Sequence, residues 1–110
     1  MDNISYSKSD ILSHLPNTKV CNKLANFYSI FSDVTRLKIL VSLLLQEMCV
    51  SELSTHLGLN QTTISHQLKT LKNIGAVSAT RDNKYIYYKV NNKFINNIMI
   101  SGVDYILASA

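Results

Sequence analysis

The chain is poor in most of what marks a linker, a disulfide scaffold or a catalytic loop. Its 110 residues include one proline, three glycines and no tryptophan. So few chain-breakers leave no Pro- or Gly-rich linker and no glycine-rich phosphate loop. Two cysteines, Cys21 and Cys49, are too few for a disulfide framework. The seven acids include no pair spaced for acid–base work, and no nucleophile stands beside a base, so an enzyme is not expected. The longest apolar run, Ile39 to Leu45, is interrupted by Ser42 and falls well short of the roughly 20 residues that span a bilayer. Met1-Asp2-Asn3 is not basic and no apolar stretch follows, unlike a signal peptide. The expectation is a cytoplasmic protein with no membrane partner.

What is present suits one compact domain spanning residues 1–110. With 46% hydrophobic and 16% charged residues, the chain is apolar enough to fold. At this length part of the apolar surface stays uncovered, and dimerisation is a natural way to bury it. The net charge of +4 is concentrated. Between Asn60 and Val90 lie Lys69, Lys72, Arg81, Lys84 and Lys89 against Asp82 alone, whereas acids and bases balance elsewhere. A basic stripe attracts a polyanion because each neutralised phosphate releases counterions.

Periodicity divides the chain into five expected helices and a hairpin. The first ten residues are polar and read as flexible. Leu24, Phe27, Tyr28 and Phe31 form a helical stripe over about 20–31. A second helix is expected from Asp33 to Leu45, capped by Ser32, with Leu37, Leu40 and Leu44 as core. A third spans Val50 to Leu57, with Ser51 as a candidate cap and Gly58 as terminator. Leu59 and Asn60 separate it from a fourth, Gln61 to Ile74, so residues 50–74 read as a helix-turn-helix. Alternating β-branched and aromatic residues over 76–90 predict a β-hairpin. Its Asp82-Asn83-Lys84 tip lacks glycine, which predicts a loop longer than two residues. A last helix over 92–107 carries Ile95, Ile98, Met99, Val103, Ile106 and Leu107.

The fourth helix carries the functional signal. Ile64, Leu68 and Leu71 share one face, extended by Ile74, while Gln61, Thr62, Ser65, His66 and Lys69 lie opposite, with Thr63 in the same first turn. Glutamine pairs with adenine, and serine and threonine reach bases or phosphates. Arg81 and Lys84, flanking the hairpin tip, suit phosphate contacts that position without specifying sequence. A plain solvated face would also be polar; the preceding turn and the following hairpin select double-stranded DNA. A protein-interaction module on the same fold remains the alternative.

The run SDVTRLKILVSLLLQEMCVSELSTHLGLNQTTISHQLKTLKNIGAV, followed by KYIYYKV, resembles the ArsR/SmtB family of bacterial repressors. It carries the patterns D-x-T-R-L-x-I-L, E-x-C-V-x-x-L and Q-x-x-x-S-H-Q-L-x-x-L in order, over about residues 24–90. The resemblance implies a mainly α, winged helix-turn-helix homodimer (α+β, with a β-hairpin wing) joined through its first and last helices. It implies repression at palindromic operators, with release by a ligand or thiol modification. The family's DNA contacts fall on Gln61, Thr62, Ser65 and His66, and its Thr-Arg on Thr35 and Arg36, expected to serve packing and a salt bridge.

Neither familiar metal site of that family is complete here. Cys49-Val50-Ser51 keeps one thiolate of a Cys-x-Cys pair, and residues 92–110 contain no histidine and no glutamate. No metal site and no certain cofactor is therefore assigned. Cys21 and Cys49 remain the candidates for an inducer, either a thiol-reactive species or a thiophilic metal or metalloid. A family member without metal sensing, its cysteines merely filling space, is the other reading. His14 and His56 are expected at the surface.

Overall fold

The computed structural model describes residues 7–14 and 17–109. Six helices and two strands occur among them, in the order α1 (Lys8–His14), α2 (Thr18–Ser29), α3 (Val34–Leu45), α4 (Val50–Leu57), α5 (Gln61–Asn73), β1 (Ser78–Asp82), β2 (Tyr85–Lys89) and α6 (Lys93–Ala108). Five helices were expected, and α1 is the addition. Its start lies in the stretch read as flexible, of which residues 1–6 fall outside the described residues. Ser7 and Asp10 explain it. The Ser7 amide donates to Asp10 Oδ2 and the Asp10 amide to Ser7 Oγ, both at 3.2 Å, satisfying two orphan donors of the first turn reciprocally.

The chain divides after Asp33 into two compact units. In the first, α2 begins where Asn17 Oδ1 accepts from the amides of Lys19 and Val20. It ends at Ser29, two residues before Phe31, and Ser32 donates its hydroxyl back to the Ser29 carbonyl rather than capping forward. Phe27 meets Tyr28 and Phe31 edge to face, at centroid distances of 5.4 and 5.8 Å. None of the residues of α2 is buried, and Leu24 and Tyr28 on its apolar stripe are exposed.

In the second unit, α3 buries Ile39, Leu40, Ser42 and Leu43; the expected Leu37 and Leu44 are only half-buried. Ser42 is tolerated inside because its hydroxyl donates to the Lys38 carbonyl. Helix α4 starts with Cys49, not Ser51, at the capping position, and the Cys49 amide donates to Glu52 Oε1 at 3.0 Å. Gly58 closes it at φ 66°, a left-handed geometry that glycine adopts without a Cβ penalty. Leu53 from α4 joins Ile64, Leu68 and Leu71 from α5 and Ile95 and Met99 from α6 in the core.

Strands β1 and β2 pair antiparallel from Ser78↔Lys89 to Asp82↔Tyr85. The connection is therefore two residues long, Asn83 and Lys84, not the longer loop expected. Asn83 takes φ 58°, a conformation that asparagine tolerates nearly as a glycine would. The hairpin is held to the segment before α4: the Met48 amide donates to the Tyr88 carbonyl at 3.2 Å and the Tyr88 amide to the Met48 carbonyl at 2.9 Å. The result is a winged helix-turn-helix.

Candidate nucleic-acid interface

Helix α5 owes its orientation to a sharp division between its two sides. Ile64, Leu68 and Leu71 are each 0% exposed. Gln61, Thr62, Ser65, His66 and Lys69 are exposed. At about 25 cal/mol per Å² of buried apolar surface, three large aliphatic side chains contribute several kcal/mol, which rotation of the helix would forfeit. The outward display of amide, hydroxyl, imidazole and ammonium groups thus follows from the inward packing.

The apolar edge stops one residue early. Ile74, expected to extend it, is 47% exposed and sits just past the last helical residue. There the chain turns out through Gly75 at φ 78°, with the Ala76 amide donating to Leu71 and the Gly75 amide to Lys72.

At the other end, Asn60 Oδ1 accepts from the Thr63 amide at 2.8 Å. Thr63 is accordingly half-buried and differs from its neighbours: its backbone serves the cap while Gln61 and Thr62 stand free of the core. The other amides of the first turn have no intrahelical carbonyl to bond.

Arg81 and Lys84 are exposed at the far end of the hairpin. The Arg81 guanidinium donates through Nε to the Asn83 carbonyl at 3.1 Å, and Lys84 Nζ lies 5.6 Å from the Tyr85 ring centroid. These contacts steady two cations without neutralising them. Tyr87, half-buried on β2, has its phenol held above its ordinary value of 10.0 by burial and then by the negative charge of Glu52.

Three contributors escaped the sequence reading. Arg36 Nε on α3 donates to Gln67 Oε1 on α5 at 3.2 Å, a contact the Thr-Arg pattern hinted at only as packing and a salt bridge. Asn60 and Asn92 cap α5 and α6. Asparagine immediately before an apolar-periodic segment was the available signal for both.

The candidate sensing residues lie one in each unit. Cys49 is buried, with Sγ 3.2 Å from Ser51 Oγ, and Cys21 is exposed on α2. Among the described residues no group of three or more histidine, cysteine, aspartate or glutamate side chains is placed to hold a metal ion. His56 is exposed as expected, whereas the His14 side chain lies outside the described residues. Also among the described residues, no helix is long and apolar enough to cross a membrane.

Comparison with known proteins matches residues 33–79 to the model for "bacterial regulatory protein, arsR family". The cadmium resistance transcriptional regulatory protein CadC of Listeria innocua is 37% identical over 82 residues, covering 74% of this chain and 69% of that relative. A transcriptional repressor SmtB homolog of Synechocystis is 28% identical over 87 residues, covering 79% and 66% respectively. Among solved structures, a homodimeric winged helix-turn-helix DNA-binding domain from Mycobacterium bovis superposes with a TM-score of 0.69 at 26% identity, covering 84% of this chain and 83% of that one.

Proposed function

The chain belongs to the arsR family of bacterial regulatory proteins, and we propose that it represses transcription as a homodimer, setting the first turns of two α5 helices against a palindromic operator. A DNA-binding transcriptional repressor, not an enzyme, is what the family membership makes it. The observation that carries the finer reading is the division of α5, with Ile64, Leu68 and Leu71 fully inside and Gln61, Thr62, Ser65 and His66 outside. In this reading those four side chains meet base edges, with Thr63 presenting the capped turn to phosphate. Lys69, Arg81 and Lys84 neutralise phosphates.

Self-association is supported by what each unit leaves uncovered. On α6, Val103, Ile106 and Leu107 are exposed, the last two at 66% and 68%, and on α2 so are Leu24 and Tyr28. Exposed apolar side chains on each of these two helices, taken separately, suit an interaction surface. The homodimeric state of the M. bovis domain points the same way.

For induction, Cys21 and Cys49 are the thiols that a reactive sulfur species, an oxidant, or a thiophilic metal or metalloid would meet. The name of the L. innocua relative connects that protein, not this one, with cadmium. Two thiolates fall short of the about four ligands of a closed zinc site, so a metal would have to recruit further donors. The bacterial cytoplasm is the matching compartment for a regulator of this kind.

Fluorescence anisotropy on operator-length duplexes at two salt concentrations tests the proposal. DNA affinity must fall steeply as salt rises, and Lys69→Ala must reduce the slope by about one unit. A slope indifferent to both changes would transfer the polar face of α5 to a protein partner instead. In the same assay, a Cys21→Ser, Cys49→Ser double variant that still releases DNA with every inducer tried would end the thiol proposal.

A further inference from the structure

The end of α5 and the start of α6 are joined by one side chain. Asn92 Oδ1 accepts from the amides of Phe94 and Ile95, at 2.9 and 3.2 Å, capping α6. Its Nδ2 donates to the Gly75 carbonyl at 3.3 Å, seventeen residues away in sequence. The orientation of the amide is determined by this network: turned over, it would set N–H against two amide N–H groups and oxygen against a carbonyl.

Gly75 is no ordinary acceptor. It occupies the left-handed position just past α5, where its own amide and that of Ala76 close the helix onto Lys72 and Leu71, at 3.1 and 2.9 Å. The direction of its carbonyl is therefore rigidly tied to the axis of α5. Ile95, three residues past Asn92, is buried together with Met99, so the first turns of α6 are equally fixed in the core. Asn92 thus bridges two elements that are each well anchored, and it does so where the chain between them departs into the hairpin.

We propose that Asn92 is a positioning residue for DNA recognition: its amide sets the angle at which α5 is presented relative to α6. The inference rests on the DNA-binding reading of α5. In a symmetric dimer built on α6, a small rotation of α5 about its C-terminal end is magnified at Gln61, some 20 Å away along a 13-residue helix. Base contacts, which require hydrogen-bond geometry, suffer more from such a rotation than phosphate contacts do.

The cap and the bridge use different atoms of one side chain, so they can be separated. Asn92→Asp and Asn92→Ser both retain an oxygen for capping. The carboxylate has no donor for Gly75, and the hydroxyl is too short to reach it. Asn91→Asp adds the same negative charge one residue earlier and controls for repulsion of DNA. The probe is a duplex enriched by the wild-type protein from a random-sequence library, with its shuffled sequence as reference.

Both Asn92 variants are expected to keep the wild-type sedimentation and to melt only about 5 °C lower, less than Asn92→Ala, which also loses the cap, while binding the enriched duplex about five-fold more weakly. The shuffled duplex loses less, so selectivity falls, and Asn91→Asp weakens both duplexes alike. Unchanged selectivity in the two Asn92 variants overturns the inference. So does a melting temperature depressed in both as far as in Asn92→Ala, since the residue would then be only a cap. Failure of the wild-type protein to enrich any duplex is a different result, which would remove the DNA-binding reading itself and this inference with it.

Discussion

The guanidinium of Arg36 on α3 donates through Nε to the side-chain carbonyl of Gln67 on α5, at 3.2 Å and partly shielded from water. Gln67 belongs to the same helix as the groups proposed to read DNA but is half-buried. The bond therefore clamps that helix from behind. Arg36→Met leaves the Gln67 amide without this donor and is expected to cost about 1 kcal/mol. That corresponds to a fall of about 5 °C in melting temperature for a domain of this size, read by circular dichroism. Gln67→Glu, which keeps an acceptor in place, should cost less than Gln67→Met.

Leu68 and Ile74 are both large aliphatic residues assigned to one edge by sequence, yet only Leu68 is buried. Leu68→Ala should therefore destabilise by about 2–5 kcal/mol, whereas Ile74→Ala should stay near 1 kcal/mol or below. Urea unfolding compares them directly. Equal costs would contradict the placement of α5.

Ser65 and His66 are exposed one turn into α5, so replacing both with alanine removes little folding energy. The double variant should melt near the wild-type temperature but lose most discrimination between an operator and a shuffled duplex. Retained discrimination would show that other side chains read the bases.

Gly58 ends α4 in a left-handed conformation, and a Cβ built there meets nothing within 4 Å. Gly58→Ala should consequently cost about 1–2 kcal/mol through backbone strain alone, with no added steric penalty. Gly58→Asn should recover part of it. A cost several times larger, measured by thermal unfolding, would mean a clash the geometry does not contain.

Ile106 and Leu107 expose most of their surface near the end of α6. A charge there should be harmless to a monomer and ruinous to a dimer, so Ile106→Asp is expected to halve the mass observed in sedimentation while leaving helical content nearly unchanged. An unaltered mass would place the dimer contact elsewhere.

Much of this architecture was legible because period and punctuation agreed. Ile64, Leu68 and Leu71 repeat at helical spacing, and Gly58 and Gly75 mark where α4 and α5 stop, so the helix-turn-helix and its outward face follow from local pattern. The misses share a cause: competition among neighbouring polar groups that spacing does not rank. Ser32 bonds backward to Ser29, Cys49 precedes Ser51 at the start of α4, and Ser7 with Asp10 nucleates a helix in a segment read as flexible. The two-residue hairpin connection was missed because Asn83 was not credited with the positive φ that it adopts. Contacts such as Arg36 with Gln67 and Asn92 with Gly75 join residues 31 and 17 positions apart, beyond the reach of any periodicity.

Asn60 begins α5 with a neutral amide. An aspartate in its place would hold the Thr63 N–H at least as firmly and would suit the helix macrodipole better. It would also put a permanent anion at the very rim where, in the proposed reading of α5, phosphate arrives. On that reading, asparagine gives up a little helical stability and keeps the approach to the duplex free of electrostatic rebuff.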